Sequence, residues 1–468
     1  MATFSDDIFF AGIGEIQAGI QAKRYTSVEL TRAFCDRMER LGLRYGALAL
    51  SMREQAMRQA HDADGYFLRD RVKSPLQGVP FGVKDLVAAA GGPTTWGAKP
   101  YAGQVFQEDA TVLARLVKAG GVLVAKLSMV ELAGGGGYRF AAASLQGPGM
   151  NPWDRTRWSG GSSSGSGAAV AAGLVPYAIG SETSGSILTP AAYCGVTGLR
   201  PTYGLAPRTG CMALSWTLDK IGPLARSAED CALVLQAIAG GDAEDPGSSG
   251  KRFYYAPQFA PALNELKIGY NPADFTDGVA EETRPAFAAA LEAVRSMGVK
   301  LVETKLPDHP YGAMVSTIIS AEMGSIFEEL VESGKVDELA DKRQIAGIKM
   351  SQEVLAKDYL RAMRLRRVVQ QDFAKMFYEQ VDVFLSPSRS GIASKIADPL
   401  DKPAPSGSPA IPAGNLAGLP ALSLPCGFAN GMPVGIAVMG APYSENKLLA
   451  FGNEFQKRTD WHKRRPAG

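Results

Sequence analysis

Residues 158–200 read WSGGSSSGSGAAVAAGLVPYAIGSETSGSILTPAAYCGVTGLR, and the fold turns on how they are read. Two Gly/Ser-rich turns enclose a run of small apolar residues from Ala168 to Val175. A Gly/Ser run by itself describes a flexible linker. A linker does not continue into AAVAAGLV, which predicts a buried helix, and then into a second Gly/Ser turn. Two tight turns flanking a buried helix predict a built site.

Upstream, PLQGVPFGVKDLV (75–87) surrounds Lys84 and Asp85 with apolar residues. Lysines are seldom buried, but Val79, Phe81, Val83, Leu86 and Val87 leave little polar surface beside this ammonium. A desolvated lysine gives up its proton more readily. EDATVLARLVKAG (108–120) predicts an amphipathic helix leading into the strand GVLVAK (121–126), the signature of an α/β layer architecture. SMVELAGGGGYRF (128–140) predicts a short helix running into four glycines, which let backbone approach a ligand or simply form a connection. Nearer the N-terminus, the capping box Thr26-Ser27-Val28-Glu29 opens a helix to about 41. A strand at 47–52 and a helix at about 53–64 follow.

Downstream, Ser227 begins a helix to about Gly240. LKIGY (266–270), residues 281–298 and VKLVET (299–304) then form a β-α-β unit. Long helical patterns cover about 312–333 and 351–378, before the strand DVFLSP (382–387). The Pro/Ser/Gly-rich run from Ser388 to Gly414 predicts an ordered loop over the site. The apolar strands LPALSLPCG and MPVGIAVMG and a helix at 445–457 close the chain. Strands from both ends serve one sheet, so the expectation is α/β in a single large domain over 1–468. The signature core spans about 75–235 and a more variable helical region about 245–380.

Charge and rare residues narrow the chemistry. The net charge is +2 with both signs interspersed, so no one-signed field is evident to recruit nucleic acid or a membrane. No apolar run approaches the roughly 20 residues of a spanning helix, and MATFSDDIFF is no signal peptide. Five scattered cysteines without a C-x-x-C pair fit a reducing cytoplasm. His61, His309 and His462 are mutually remote, so no metal or other cofactor is expected. No G-K-[ST] follows the glycines, which removes a phosphate-binding P-loop. GSSSG (161–165) matches a nucleophile elbow centred on Ser163, but NPWDRTRWSG before it cannot form the hydrophobic strand that motif needs. Serine chemistry with lysine as base remains.

GVPFGVKD, GGSSSGSGAAVAAG, GSETSGSI and PAAYCGVTGLRPTYG together resemble the amidase signature enzymes, serine hydrolases that cleave amide C–N bonds. NPW (151–153), NLAGLPALSLPCG (415–427) and GMPVGIAVMG (431–440) extend the resemblance over most of the chain. It implies a central mixed β-sheet flanked by helices on both faces. It further implies Lys84 as general base, Ser162 as a bridging serine in a cis peptide with Gly161, and Ser186 as nucleophile. Backbone N–H groups of Thr183, Ser184, Gly185 and Ser186 are expected to form an oxyanion hole, which supplies about 3–4 kcal/mol per critical donor. Ser163 is expected to hold Lys84, with Asp85 structural. Ala133, Gly134, Gly135, Tyr138 and the 312–333 helix are expected to line the substrate pocket.

The second turn departs from the family's GTDTGGSIR: Glu182 stands for Asp, Ser184 for Gly and Leu188 for Arg. Glu182 must then find another donor, and the lost arginine argues against a charged substrate. On this reading the chain is a free-standing, cytoplasmic hydrolase of a small neutral amide, with carbamates (urethanase chemistry) and esters also open. No nucleic acid or membrane partner is expected, and a homodimer is left open. The alternative implied by the resemblance is the A subunit of a glutamine-dependent glutamyl-tRNA amidotransferase. Such a protein works with partner subunits, takes ammonia from glutamine and acts beside tRNA.

Overall fold

The computed structural model describes residues 4–259, 262–402, 405 and 407–467. Thirteen strands occur among them: β1 (Leu48–Ser51), β2 (Pro80–Lys84), β3 (Val122–Leu127), β4 (Met150–Asn151), β5 (Asp154–Trp158), β6 (Tyr177–Glu182), β7 (Thr197–Arg200), β8 (Lys220–Ala225), β9 (Lys267–Tyr270), β10 (Lys300–Glu303), β11 (Val383–Pro387), β12 (Ala421–Ala429) and β13 (Met432–Gly440). Eleven form one mixed sheet in the order β1-β3-β2-β6-β8-β7-β12-β13-β11-β9-β10. The pairs β2/β3, β2/β6, β9/β10 and β9/β11 are parallel, and the others antiparallel. Strands from residue 48 to residue 440 thus share one hydrogen-bonded layer, in a single α/β domain with helices on both sides.

The middle strands read as continuous apolar runs because helices cover both of their faces. β2, β3, β6, β7 and β8 are buried along their whole length. The helix between the two Gly/Ser turns spans Ser164–Ala171, and all eight of its residues are buried. It begins earlier than the apolar run starting at Ala168 suggested. Gly165 shows why: a Cβ there would lie 2.6 Å from Ser128 N and 2.7 Å from Ala47 O. The small residues of its first turn let the helix lie directly against two backbone segments.

Three further details differ from the sequence reading. The helix opened by the Thr26–Glu29 capping box runs over Ser27–Arg37 and passes into a π turn at Met38–Gly42. The two long helical patterns resolve into Tyr311–Ile326 with Glu328–Glu332, and Lys342–Ser351 with Ala356–Glu379. NPWDRTRWSG, expected to hold no strand, contains β5, paired with β4 outside the main sheet. Side-chain turns make this hairpin: Asn151 Oδ1 accepts from Trp153 N (3.1 Å) and Asp154 Oδ1 from Thr156 N (2.9 Å). β5 is polar and partly exposed, unlike the buried sheet strand of a nucleophile elbow.

Candidate active site

β2 ends on Lys84, which is fully buried in the sheet among Val83, Leu86 and Val87. Its Nζ lies 2.6 Å from Ser162 Oγ and 2.9 Å from Ser181 Oγ. Burial lowers the pKa of Lys84 to about 7, against the opposing pull of the Asp219 and Glu182 charges. An ordinary lysine would be almost entirely charged at neutrality, whereas this one is about half neutral. The Gly161–Ser162 peptide is cis.

Ser163, expected to hold Lys84, does not touch it. Its Oγ donates to Ser181 O (3.2 Å) and accepts from Ser181 N (3.3 Å), while Ser181 supplies the second oxygen on Lys84. The sequence reading assigned no role to Ser181. The signal was in the pairing: β6 runs parallel to β2 with Val83 opposite Ile179, so Ser181 comes level with the end of β2. Asp85 has a structural setting, with Oδ1 2.8 Å from Lys126 Nζ and Oδ2 accepting from Thr95 N (3.0 Å).

The two turns are joined directly, since Ser163 N donates to Ser186 O at 3.3 Å. Ser186 is half-buried and faces the cavity. Among the described residues, no hydrogen bond links its hydroxyl to Ser162, and the N–H groups of Ser184, Gly185 and Ser186 donate to no protein group. Gly185 has φ +96°, a conformation open to glycine, which turns these donors along one side of the loop. Thr183 hangs its Oγ1 on Asp219 (2.6 Å), whose other oxygen accepts from Leu214 N and Ser215 N.

Glu182 finds its donors on distant elements. Its Oε2 accepts from Ile187 N (2.9 Å) and Leu188 N (3.0 Å), and its Oε1 from Arg200 Nη1 (2.9 Å) and Asn415 Nδ2 (2.8 Å). Burial by itself raises the pKa of Glu182, but the charges of Arg200 and Lys220 and these hydrogen bonds hold it below the ordinary value. Arg200, at the end of β7, thus occupies the role open since Leu188 replaced the family's arginine. The carboxylate clamps the two peptides after Ser186 and so sets the direction of the turn.

A cavity of about 310 Å³ opens over this turn, lined by Gly161, Thr183, Ser184, Ser186, Arg389 and apolar or aromatic neighbours. Of the expected pocket residues, Ala133, Gly134 and Tyr138 line it. Gly135 instead packs behind, towards Leu214 and Met323. From Tyr311–Ile326 only Ile319 reaches it. The glycine loop is anchored at its far end, where Asp341 accepts from Arg139 N (2.7 Å) and Phe140 N (3.0 Å). The run after β11 does cover the cavity, with Arg389 and Leu400 in the wall, although its end becomes the helix Ala410–Ala417. Residues 403, 404 and 406 of that run lie outside the described residues.

Arg389 corrects the inference that losing the arginine at position 188 favours an uncharged substrate. It is the one charged side chain in the described cavity wall. Its charge is favoured by the Tyr193 and Tyr138 rings, with no carboxylate nearby. No periodicity in SPSRSG (386–391) marks it.

Residues 29–449 match the amidase family. The chain belongs to the amidase family. This amidase, an enzyme acting on carbon–nitrogen bonds, is 37% identical to the A subunit of the glutamyl-tRNA(Gln) amidotransferase of Dechloromonas aromatica strain RCB, over 98% of its own length and 99% of that protein. It is 35% identical to the protein of the same name from Chloroflexus aggregans, over 98% and 99%. Among solved structures it resembles the native peptide amidase of Stenotrophomonas maltophilia (29% identity, TM-score 0.86, 98% of each chain). It also resembles the A subunit of the Thermotoga maritima glutamyl-tRNA(Gln) amidotransferase (27% identity, TM-score 0.80, 97% of this chain and 96% of that one).

These relatives correct the expectation of a free-standing hydrolase of a small neutral amide, carbamate or ester, with no partner but that substrate, no nucleic acid and at most a second copy of itself. Over nearly their whole length, the matching proteins are named as subunits of an enzyme acting on glutamyl-tRNA(Gln). The sequence argument failed for a physical reason: it weighed overall net charge and one lost arginine. The amidase instead carries its cation in the cavity on a different element, and carries basic side chains together on one helix, Ala356–Glu379. No helix among the described residues is long and apolar enough to cross a membrane.

Proposed function

We propose that this amidase is the A subunit of a glutamine-dependent glutamyl-tRNA(Gln) amidotransferase and that it releases ammonia from glutamine. The carrying observation is the 35–37% identity, over almost the whole length of both chains, to proteins bearing that name. The lone cation Arg389 in the cavity supports the same reading, because glutamine joins a neutral amide to a carboxylate, and Arg is well suited to recognising that group.

In the proposed mechanism Ser186 Oγ attacks the side-chain amide carbon. Its proton passes through Ser162 to the neutral Lys84, 2.6 Å from Ser162 Oγ. The carbonyl oxygen becomes an oxyanion held by the backbone N–H groups of residues 183–186, which are oriented before the reaction begins. As the C–N bond breaks, the proton returns from Lys84 through Ser162 to nitrogen and ammonia leaves. Water then attacks the acyl-serine, giving its proton back along the same path, and glutamate is released. Ser181 shares Lys84 with Ser162 and keeps the ammonium directed along the path. Glu182 acts through the backbone, holding the turn that presents Ser186.

Glutamine labelled with 15N in its amide, supplied to the chain assembled with its partner subunits and glutamyl-tRNA(Gln), tests this reading. Label appearing in glutaminyl-tRNA supports it. Label found only in free ammonia, with the tRNA still carrying glutamate, rejects it.

A further inference from the structure

The helix Ala356–Glu379 is 24 residues, about 36 Å, long and buries only one stripe: Ala362, Arg366, Val369, Phe373 and Met376. Its inner side is firmly braced. Arg366 Nε donates to Leu416 O (2.7 Å) and its Nη2 to Thr217 O (2.8 Å), while Tyr359 OH donates to Glu322 (2.9 Å). Every other side of it faces outward. Leu360 is 58% exposed, Val368 43% and Tyr378 91%, and Met350 and Leu355 just before the helix are also exposed. Scattered single apolar residues on a surface need no explanation, but here they gather on one element.

Basic residues interleave with them. Arg361 and Arg364 flank Leu360, and Arg367 adjoins Val368, on the exposed side. Among the described residues, the ion pairs on this helix are Asp372 with His309 and Lys375 with Glu379, so Lys357, Arg361, Arg364 and Arg367 have no acidic partner within the fold. At 100° per residue, Leu360, Arg361, Arg364 and Val368 share one face. An apolar centre bordered by unpaired arginines has the composition of a protein interface: large side chains to bury, and Arg at the rim. A purely phosphate-binding surface would not set Leu360 and Val368 at its middle.

We propose that the outward face of Ala356–Glu379 docks a partner subunit through a segment that is apolar at its centre and acidic around it. This rests on reading the chain as one subunit of a larger enzyme. The bracing by Arg366 and Tyr359 makes the face preorganised, so little ordering is lost on docking. The arginines bring the acidic segment in and fix its register, and the apolar residues retain it.

The test uses the full chain co-expressed with the other subunits of its amidotransferase, comparing wild type with the triple variant Leu360→Ser, Arg364→Glu, Val368→Glu. The expected result is at least a tenfold weaker assembly, with circular dichroism and Tm close to wild type because all three positions are exposed. The milder pair Arg361→Ala and Arg364→Ala is expected to weaken assembly less, mainly by slowing association, and the difference is expected to shrink at high salt. Wild-type affinity in the triple variant overturns the proposal. So does normal assembly with lost retention of a tRNA transcript, which makes the face a nucleic-acid surface. Normal assembly with a chain-alone dimer that the triple variant splits assigns the face to a second copy and likewise overturns it. If wild type itself joins none of the subunits, the subunit reading fails, an outcome distinct from a defect confined to the variant.

Discussion

The turn at 180–188 and the run that follows β11 face each other across one cavity and are built in opposite ways. In the turn, both oxygens of Glu182 are occupied, by two backbone N–H groups, Arg200 and Asn415, all inside the protein. In the run after β11, Arg389 offers a full positive charge to the cavity with no carboxylate to meet it. The first arrangement fixes geometry, and the second waits for a ligand. Groups that perform a reaction must be held before the substrate comes, whereas groups that select the substrate keep their strongest interaction unmade until it arrives.

The largest effects are expected where the proton path and nucleophile lie. Ser186→Ala and Lys84→Met are each expected to lower kcat for ammonia release by about 10⁴-fold or more while leaving Tm nearly unchanged, since each acts within one linked unit. A residual rate near wild type in either variant removes that residue from the reaction. Next comes Glu182→Gln, which leaves Arg200 and Lys220 buried without their anion. Chemical denaturation is expected to register a loss of about 3–5 kcal/mol. Adding Arg200→Leu to it is expected to recover part of that loss, and no recovery would show that the carboxylate's backbone bonds alone carry the stability.

Arg389→Ala is expected to raise KM for glutamine by about 10- to 100-fold with a smaller change in kcat, the range for a hydrogen-bonded charge contact. KM for glutaminamide, which lacks the carboxylate, is expected to stay within about twofold, because the lost contact is the only large term. Equal losses on both compounds would mean that Arg389 shapes the cavity rather than reading charge. The pH profile follows from Lys84, whose ammonium must lose its proton to act as base. With its pKa lowered to about 7, kcat/KM is expected to rise about tenfold per unit below pH 7 and level off above it. Ser181→Ala has the smallest expected effect. Removing an oxygen that accepts from the ammonium disfavours the charged form and moves the rise to lower pH by no more than about one unit.

How much of this was legible in the sequence divides along the same line as the two regions. The strands could be read because buried sheet interiors leave continuous apolar runs, as in PFGVK and VLVAKL, and the two Gly/Ser turns because backbone demands appear directly as residue type. Lys84 and Ser162 could be singled out for that reason, and the fold does bring them together. Arg200 could not be paired with Glu182 in advance, because the contact depends on β7 lying two places from β6 in the sheet with β8 between them. Arg389 was invisible for a related reason: a single arginine in a Ser/Pro-rich run carries no period, and only the closing of β11 against β13 brings that run over the turn. The error about a small neutral substrate came from local reading, in which one missing arginine stood for the whole electrostatic environment.

One measurement bears on the proposed role of the amidase more than any other: amidation of glutamyl-tRNA(Gln) by the assembled subunits, wild type against Ser186→Ala, with either glutamine or added ammonia as nitrogen source. The expected result is that Ser186→Ala loses the glutamine-dependent reaction and keeps the ammonia-dependent one, because only the release of nitrogen passes through the serine. Glutamine-dependent amidation that survives in Ser186→Ala, or a wild-type assembly that amidates with neither source, would contradict it.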